Sequence, residues 1–298
     1  MKFGFVSLIG RPNAGKSTLL NRVVGSKLAI VSDKPQTTRT RILGVRNYPD
    51  AQVVYLDTPG IHRPLHRMNV RMVDTAMDAM KQVDVVGLVL DAAEPLGEGD
   101  RFVVDLVKDA AVPVFLILNK IDLMKRSRLL PIIDRFGQLN RFAEIIPISA
   151  STGENVDRLE STILSRLPEG ERLYPEDYLT DQPERFFAAE IVREKLLQFT
   201  HAEIPFSSAV VVDRFEEPGE ESPILRLFCS IVVDRESQKP IVIGKRGDMI
   251  KRIGTAAREE LERFFSNRVF LDLHVRVRSE WREDERLLTE IGVNRDER

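Results

Sequence analysis

The chain has 298 residues, 43% of them apolar, which is enough for about two packed domains, and a formal charge of −2. That balance excludes a global positive field, so any nucleic-acid site must be a local patch. The single cysteine, Cys229, excludes an internal disulfide and reads as a small buried hydrophobe suited to a reducing cytoplasm. No apolar run approaches membrane-spanning length, and the N-terminal run is too short for a signal peptide, so a soluble protein is expected.

Residues 3–9 form an apolar run that predicts a buried strand, followed at once by Gly10-Arg11-Pro12-Asn13-Ala14-Gly15-Lys16-Ser17-Thr18. This is G-x-x-x-x-G-K-S between a strand and a helical pattern over residues 17–24, where Leu19, Leu20 and Val23 share a face. Such a turn aims successive N–H groups and a helix N-terminus at one anion of several oxygens. Gly10 and Gly15 fall where a Cβ would block that approach or the required dihedrals. Lys16 is placed to reach the β- and γ-phosphates and Ser17 to hold Mg²⁺.

Residues 32–41 are rich in hydroxyl groups and suit a loop folding over a metal and a γ-phosphate. Thr38 is the candidate metal ligand there; a plain solvated loop is the alternative. A short strand at 53–56 then delivers Asp57-Thr58-Pro59-Gly60. Asp57 has the place of a carboxylate that holds Mg²⁺, and the Gly60 N–H can serve a γ-phosphate. Alone, the tetrapeptide would read as an ordinary turn. His62 and His66 have i,i+4 spacing, but Pro64 lies between them and no glutamate accompanies them, so they read as solvated loop residues.

Apolar runs at 84–90 and 112–118 predict strands buried on both faces, and the second ends in Asn119-Lys120-Ile121-Asp122. The Asp122 carboxylate can accept from the ring N–H and amine of guanine, which adenine cannot offer. A strand at 145–148 leads to Ser149-Ala150-Ser151, whose backbone can meet the base from the other side, and a helix follows over 154–167.

Strands alternating with helices predict an α/β, doubly wound and mainly parallel sheet with ligands at the strand carboxyl ends. In order and spacing these elements resemble the GTPase domain of the TrmE-Era class, over residues 1–168. The resemblance implies a P-loop GTPase that binds GTP/GDP with Mg²⁺, with Lys16 and Thr38 in catalysis. Ile61 stands where Ras-like proteins carry a water-orienting glutamine, so slow intrinsic turnover is expected. The class implies that Asn13 instead helps hold K⁺ against the phosphates; stabilising the turn is the other role open to it.

Residues 169–185 concentrate prolines and acids and read as a linker to a second domain, 186–298. A helix with Ala188, Ile191, Val192, Leu196 and Phe199 on one face is followed by strand patterns at 207–212 and 224–233, a hairpin around the acidic segment 216–222. Gly244-Lys245-Arg246-Gly247 then enters a helix marked by Ile250, Ile253, Ala257, Leu261 and Phe264, and Val269 to Val277 alternate as a strand. This α+β order resembles a KH domain of type II, the arrangement common in bacteria. A G-x-x-G turn lets a sugar-phosphate backbone approach a helix N-terminus. Lys245, Arg246, Lys251 and Arg252 supply charge within residues 235–268, where nine Lys/Arg face five Asp/Glu. Further on, Trp281 either anchors a C-terminal helix carrying Leu287, Leu288 and Ile291 or stacks on a base; that segment is also a candidate for extending RNA specificity.

A GTPase joined to a KH domain resembles the ribosome-assembly branch of that class, over essentially the whole chain. The branch implies binding to the 3′ end of 16S rRNA in small ribosomal subunit assembly, with hydrolysis as a release step, and a cytoplasmic monomer with peripheral membrane association. A constitutive RNA-binding assembly factor, or a membrane or protein-interaction GTPase, are the alternatives. The lone G-x-x-x-x-G-K-S excludes a relative with tandem GTPase domains.

Overall fold

A computed structural model describes residues 1–34, 36–61, 66–219 and 222–293. Its first domain is a six-stranded sheet in the order β2-β3-β1-β4-β5-β6. β1 (Lys2–Gly10), β3 (Ala51–Asp57), β4 (Val85–Asp91), β5 (Val114–Asn119) and β6 (Glu144–Pro147) run parallel, and β2 (Ile42–Tyr48) is an antiparallel edge. β4 and β5 are apolar almost throughout because both sheet faces are covered. On one face lie α1 (Lys16–Val24) and α5 (Val156–Arg166), through Leu19, Leu20, Leu159 and Ile163. On the other lie α2 (Arg67–Lys81), α3 (Glu98–Leu106) and α4 (Leu129–Gly137), through Ala76, Val103 and Phe136. β1 sits between β3 and β4, so the chain turns to opposite sides of it, and its carboxyl end is the switch point where ligands bind in such sheets.

The expected linker is an ordered strap on this domain. Val45 N–H donates to the Leu179 carbonyl at 2.8 Å, and Gln52 Oε1 accepts from the N–H groups of Leu173 and Tyr174, both at 3.0 Å. The following helix opens at Glu184, inside the stretch expected to be linker, with Pro183 as its N-cap residue in extended backbone.

The second domain runs α6 (Glu184–Phe199), α7 (Ile204–Ser207), β7 (Ser208–Glu216), β8 (Leu225–Val233), α8 (Lys239–Ile243), α9 (Asp248–Phe265), β9 (Val269–Val277) and α10 (Glu285–Glu290). β7 and β8 form the expected antiparallel hairpin, and β9 adds in parallel to β8. Alternation along these strands buries Leu227, Cys229, Ile231 and Val233 against α6 and α9. Cys229 is fully buried, which pushes its thiol up to about 12 and leaves it an inert core residue. The opposite sheet face carries Ala209, Val211 and Val232, which are covered by Trp281, Leu287 and Leu288 together with Met68 and Met72 of α2.

Candidate nucleotide site and nucleic-acid interface

The turn after β1 is shaped by close contacts as well as by the room a ligand needs. A Cβ on Gly10 would collide with the Val89 carbonyl, and one on Gly15 with the Asn119 amide. Gly15 also has φ 93° as the N-cap of α1, a left-handed conformation that favours glycine. Lys16 is buried, and its ammonium donates to the carbonyls of Gly10 at 3.2 Å and Arg11 at 3.0 Å. Desolvation lowers it to about 8, with the Asp57 charge opposing. Lys16, Ser17, Thr18, Asn13, Thr38 and Gly60 border one cavity of about 210 Å³.

The three expected metal ligands converge, although they come from α1, the loop before β2 and the end of β3. Ser17 Oγ lies 2.7 Å from Thr38 Oγ1 and donates to Asp57 Oδ2 at 2.7 Å, and Thr38 Oγ1 donates to the same oxygen at 3.3 Å. Asp57 is fully buried and its other oxygen, Oδ1, has no protein partner. Burial raises its carboxyl above the usual range, with Lys16 and the two hydroxyls opposing. Two hydroxyls and a dehydrated carboxylate are hard oxygen donors of the kind Mg²⁺ takes alongside waters and phosphates, so the residues fit that ion. Next to them, Ile61 is buried with its N–H on the Gly10 carbonyl at 3.0 Å, which ties the D-x-x-G segment to the phosphate turn. Asn13 has φ 63° and donates from Nδ2 to the Asp33 carbonyl at 2.5 Å. His62 lies outside the described residues, and His66 sits 3.5 Å from Glu283.

The candidate base-recognition residues differ in their surroundings. Asn119 donates to the Ala14 carbonyl at 2.8 Å and accepts from the Ala150 N–H at 2.9 Å, so it staples the phosphate turn to the loop after β6. Of the 149–151 backbone expected to be able to meet the base, the Ala150 N–H is engaged within the chain. Ser149 is fully buried and its Oγ accepts from the Thr152 N–H at 3.1 Å, bracing the same loop. Lys120 pairs with Asp91 at 2.6 Å. Asp122, in the short turn after β5, is exposed, as a group that reads a ligand must be.

In the second domain, Gly244 and Gly247 have φ 76° and 81° at the entry to α9, and a Cβ on Gly244 would stand 2.6 Å from the Met249 nitrogen. Lys245, Arg246, Lys251 and Arg252 lie around that entry, and Arg252 also covers the Phe199 ring at 4.6 Å. The apolar residues of the C-terminal segment turn inward. Trp281 is fully buried and donates from Nε1 to the Ser207 carbonyl at 2.9 Å, while Leu287 and Leu288 are buried beside it, so anchoring is its role and stacking on a base is excluded.

Sequence reasoning missed the residues that join the two domains. Arg39, next to Thr38, is buried and donates to the carbonyls of Ser208 at 2.9 Å and Pro205 at 3.3 Å. Arg71 of α2 donates to the Val293 carbonyl at 3.0 Å. Each lies in a polar or amphipathic stretch that reads locally as solvated, and no local signal reveals a cover supplied from a distant part of the chain.

The 50S ribosome-binding GTPase family matches residues 5–120, and the KH domain family matches residues 203–282. GTPase Era of Syntrophus aciditrophicus (strain SB) is 50% identical over 98% of this chain and 95% of its own length. GTPase Era of Geobacter metallireducens is 50% identical over 97% of both chains. Among solved structures, Era in complex with MgGDPNP and nucleotides 1506–1542 of 16S ribosomal RNA superposes with a TM-score of 0.94 at 43% identity, covering 98% of this chain and 99% of that one. An Aquifex aeolicus Era variant bound to GDP·AlF4⁻ superposes with a TM-score of 0.94, the same identity of 43%, and coverage of 98% of this chain and 99% of that one.

Proposed function

The chain belongs to the Era family of GTPases, and on that premise we propose that it is a GTP-driven switch whose output is affinity for the 3′ end of 16S rRNA during small-subunit assembly. The observation that carries this reading is the Arg39 contact: the residue beside the candidate metal ligand Thr38 is bonded to the KH domain at Pro205 and Ser208. A γ-phosphate that orders residues 32–41 acts on that joint and so biases the KH domain. By linkage, RNA must then favour GTP over GDP by the same factor.

In the reaction, the N–H groups of residues 13–18 and the Lys16 ammonium hold the phosphates. Ser17, Thr38 and Asp57 would hold Mg²⁺, which supplies charge neutralisation on the phosphate oxygens when bound. Ile61 closes the site without a group that could orient water, so turnover is slow until something else completes it. Asp122 selects guanine, and Asn119 and Lys120 hold the surrounding loops in place. Gly244, Lys245, Arg246 and Gly247 admit the RNA backbone at the start of α9, with Lys251 and Arg252 adding charge. The reading carries a cytoplasmic monomer with peripheral membrane contact; no helix among the described residues is long and apolar enough to cross a membrane.

The test is binding of a short single-stranded RNA copying the 3′ end of 16S rRNA, at fixed salt, with GDP and with a non-hydrolysable GTP analogue. Tighter binding in the GTP state that is lost in Gly244→Asp supports the switch. Equal binding in both states would leave a constitutive RNA-binding factor with an uncoupled GTPase.

A further inference from the structure

One turn of α6, the first helix of the KH domain, lies along the loop that carries the metal-ligand candidate Thr38. Glu194 is buried and accepts from the Val31 N–H at 3.0 Å and from Lys27 Nζ at 2.7 Å. Arg193 is only 2% exposed and donates to the carbonyls of Gln36, at 3.4 Å, and Thr37. Glu190 holds the same guanidinium from behind at 2.6 Å. On the far side of Thr38, Arg39 is fastened to Pro205 and Ser208. The threonine is therefore bracketed by KH-domain attachments on both neighbouring residues.

We propose that Arg193 is a positioning residue for GTP hydrolysis, acting from the KH domain on Thr38. The Thr37 carbonyl shares a planar peptide unit with the nitrogen and Cα of Thr38, so a guanidinium that fixes that oxygen also fixes where the Thr38 side chain starts. Thr38 Oγ1 then meets Ser17 Oγ at 2.7 Å. A charged donor on a backbone carbonyl is worth more than a neutral one, and Arg193→Ala removes it from the oxygen next to Thr38. The helix reaches the RNA side as well: Lys195 pairs with Glu194 at 3.2 Å and with Glu260 of α9, which also meets Lys27. The GTPase site thus takes part of its frame from the RNA-binding module.

This inference rests on reading Thr38 as a metal ligand, and the experiment separates the two. Steady-state GTP hydrolysis by the full chain is measured against Mg²⁺ concentration for the natural protein, Arg193→Ala, Arg193→Lys, Glu190→Gln and Thr38→Ala, with GDP affinity and thermal melting as controls of folding. The expected result is a kcat about ten-fold lower in Arg193→Ala, with more Mg²⁺ needed for half-maximal rate, GDP affinity unchanged and partial rescue in Arg193→Lys. Glu190→Gln should move the same quantities less, and it keeps the proposal testable if Arg193→Ala does not fold. Natural kcat and Mg²⁺ dependence in the folded Arg193 and Glu190 variants, with Thr38→Ala impaired, would overturn the positioning role alone. Natural Mg²⁺ dependence in Thr38→Ala would overturn the metal-ligand reading on which it rests.

Discussion

The guanidinium of Arg39 stands 5.4 Å from the ring centroid of Trp281, so a residue beside the candidate metal ligand lies against the tryptophan that anchors the C-terminal segment. Trp281 is fully buried among residues of both domains and is the sole tryptophan of the chain. Its fluorescence is therefore a reporter of this joint. Exchange of GDP for a non-hydrolysable GTP analogue should shift its emission in the natural protein. In Arg39→Ala, which loses the cation above the ring and two bonds to backbone carbonyls, the shift should shrink. An emission spectrum that ignores the nucleotide in both proteins would disconnect the joint from the switch.

The same tryptophan sets a stability difference. Trp281→Ala should cost about 3–5 kcal/mol through the cavity left among Met68, Val211 and Leu287. Trp281→Phe keeps much of the packing and leaves the Ser207 carbonyl without its donor, for about 1–2 kcal/mol. Urea denaturation followed by far-ultraviolet circular dichroism checks the order of the two variants.

Lys16 makes nucleotide binding depend on pH in a stated direction. Burial lowers its ammonium to about 8, while phosphate needs it protonated. Above that pH, binding must take up a proton, so GDP affinity should fall by up to about ten-fold per pH unit. Stability of the free chain moves the other way. Between about 8 and 10.5 the unfolded chain keeps a proton that the folded one has shed, so the contribution of Lys16 rises with pH there. Calorimetry in buffers of different ionisation enthalpy measures the proton uptake, and Lys16→Ala should abolish it.

Asp122 can be tested by changing the base. If Asp122 reads the base, its carboxylate accepts two hydrogen bonds from guanine, whereas the side-chain amide of the variant Asp122→Asn would offer one acceptor and one donor, matching the extra carbonyl of xanthine. GTP affinity should drop by about a hundred-fold and XTP affinity should rise. Competition against a fluorescent GDP analogue measures both, and unchanged preference would remove Asp122 from base recognition.

The candidate nucleotide site was legible because its residues stand in short motifs at strand ends, from Gly10 to Ala150. The KH core was legible through alternation along β8 and β9 and the apolar face of α9. What sequence could not reveal is where polar residues go when another domain covers them. Arg193 and Glu194 lie on the polar side of α6, and their partners at residues 27–37 lie on the other domain. The strap over residues 168–183 was hidden for a related reason, since its order comes from Val45 and Gln52 and not from a periodicity of its own. Asn119 carries a further lesson: the motif shows that an amide is needed, and only the geometry shows that it holds two loops together.

The two roles open to Asn13 are separable by their atoms. Its Nδ2 donates to the Asp33 carbonyl, which ties the phosphate turn to the loop over the site, and this leaves Oδ1 as the acceptor that a monovalent cation would use. Asn13→Asp keeps an acceptor oxygen and loses the donor; Asn13→Ala loses both. If Oδ1 helps hold K⁺ beside the phosphates, the natural protein should hydrolyse GTP about ten-fold faster in K⁺ than in Na⁺, corresponding to ~1.4 kcal/mol of transition-state stabilisation. Asn13→Asp should keep that preference at a lower rate, and Asn13→Ala should lose it. Equal kcat in the two salts for the natural protein and Asn13→Ala would leave Asn13 with the loop tether alone.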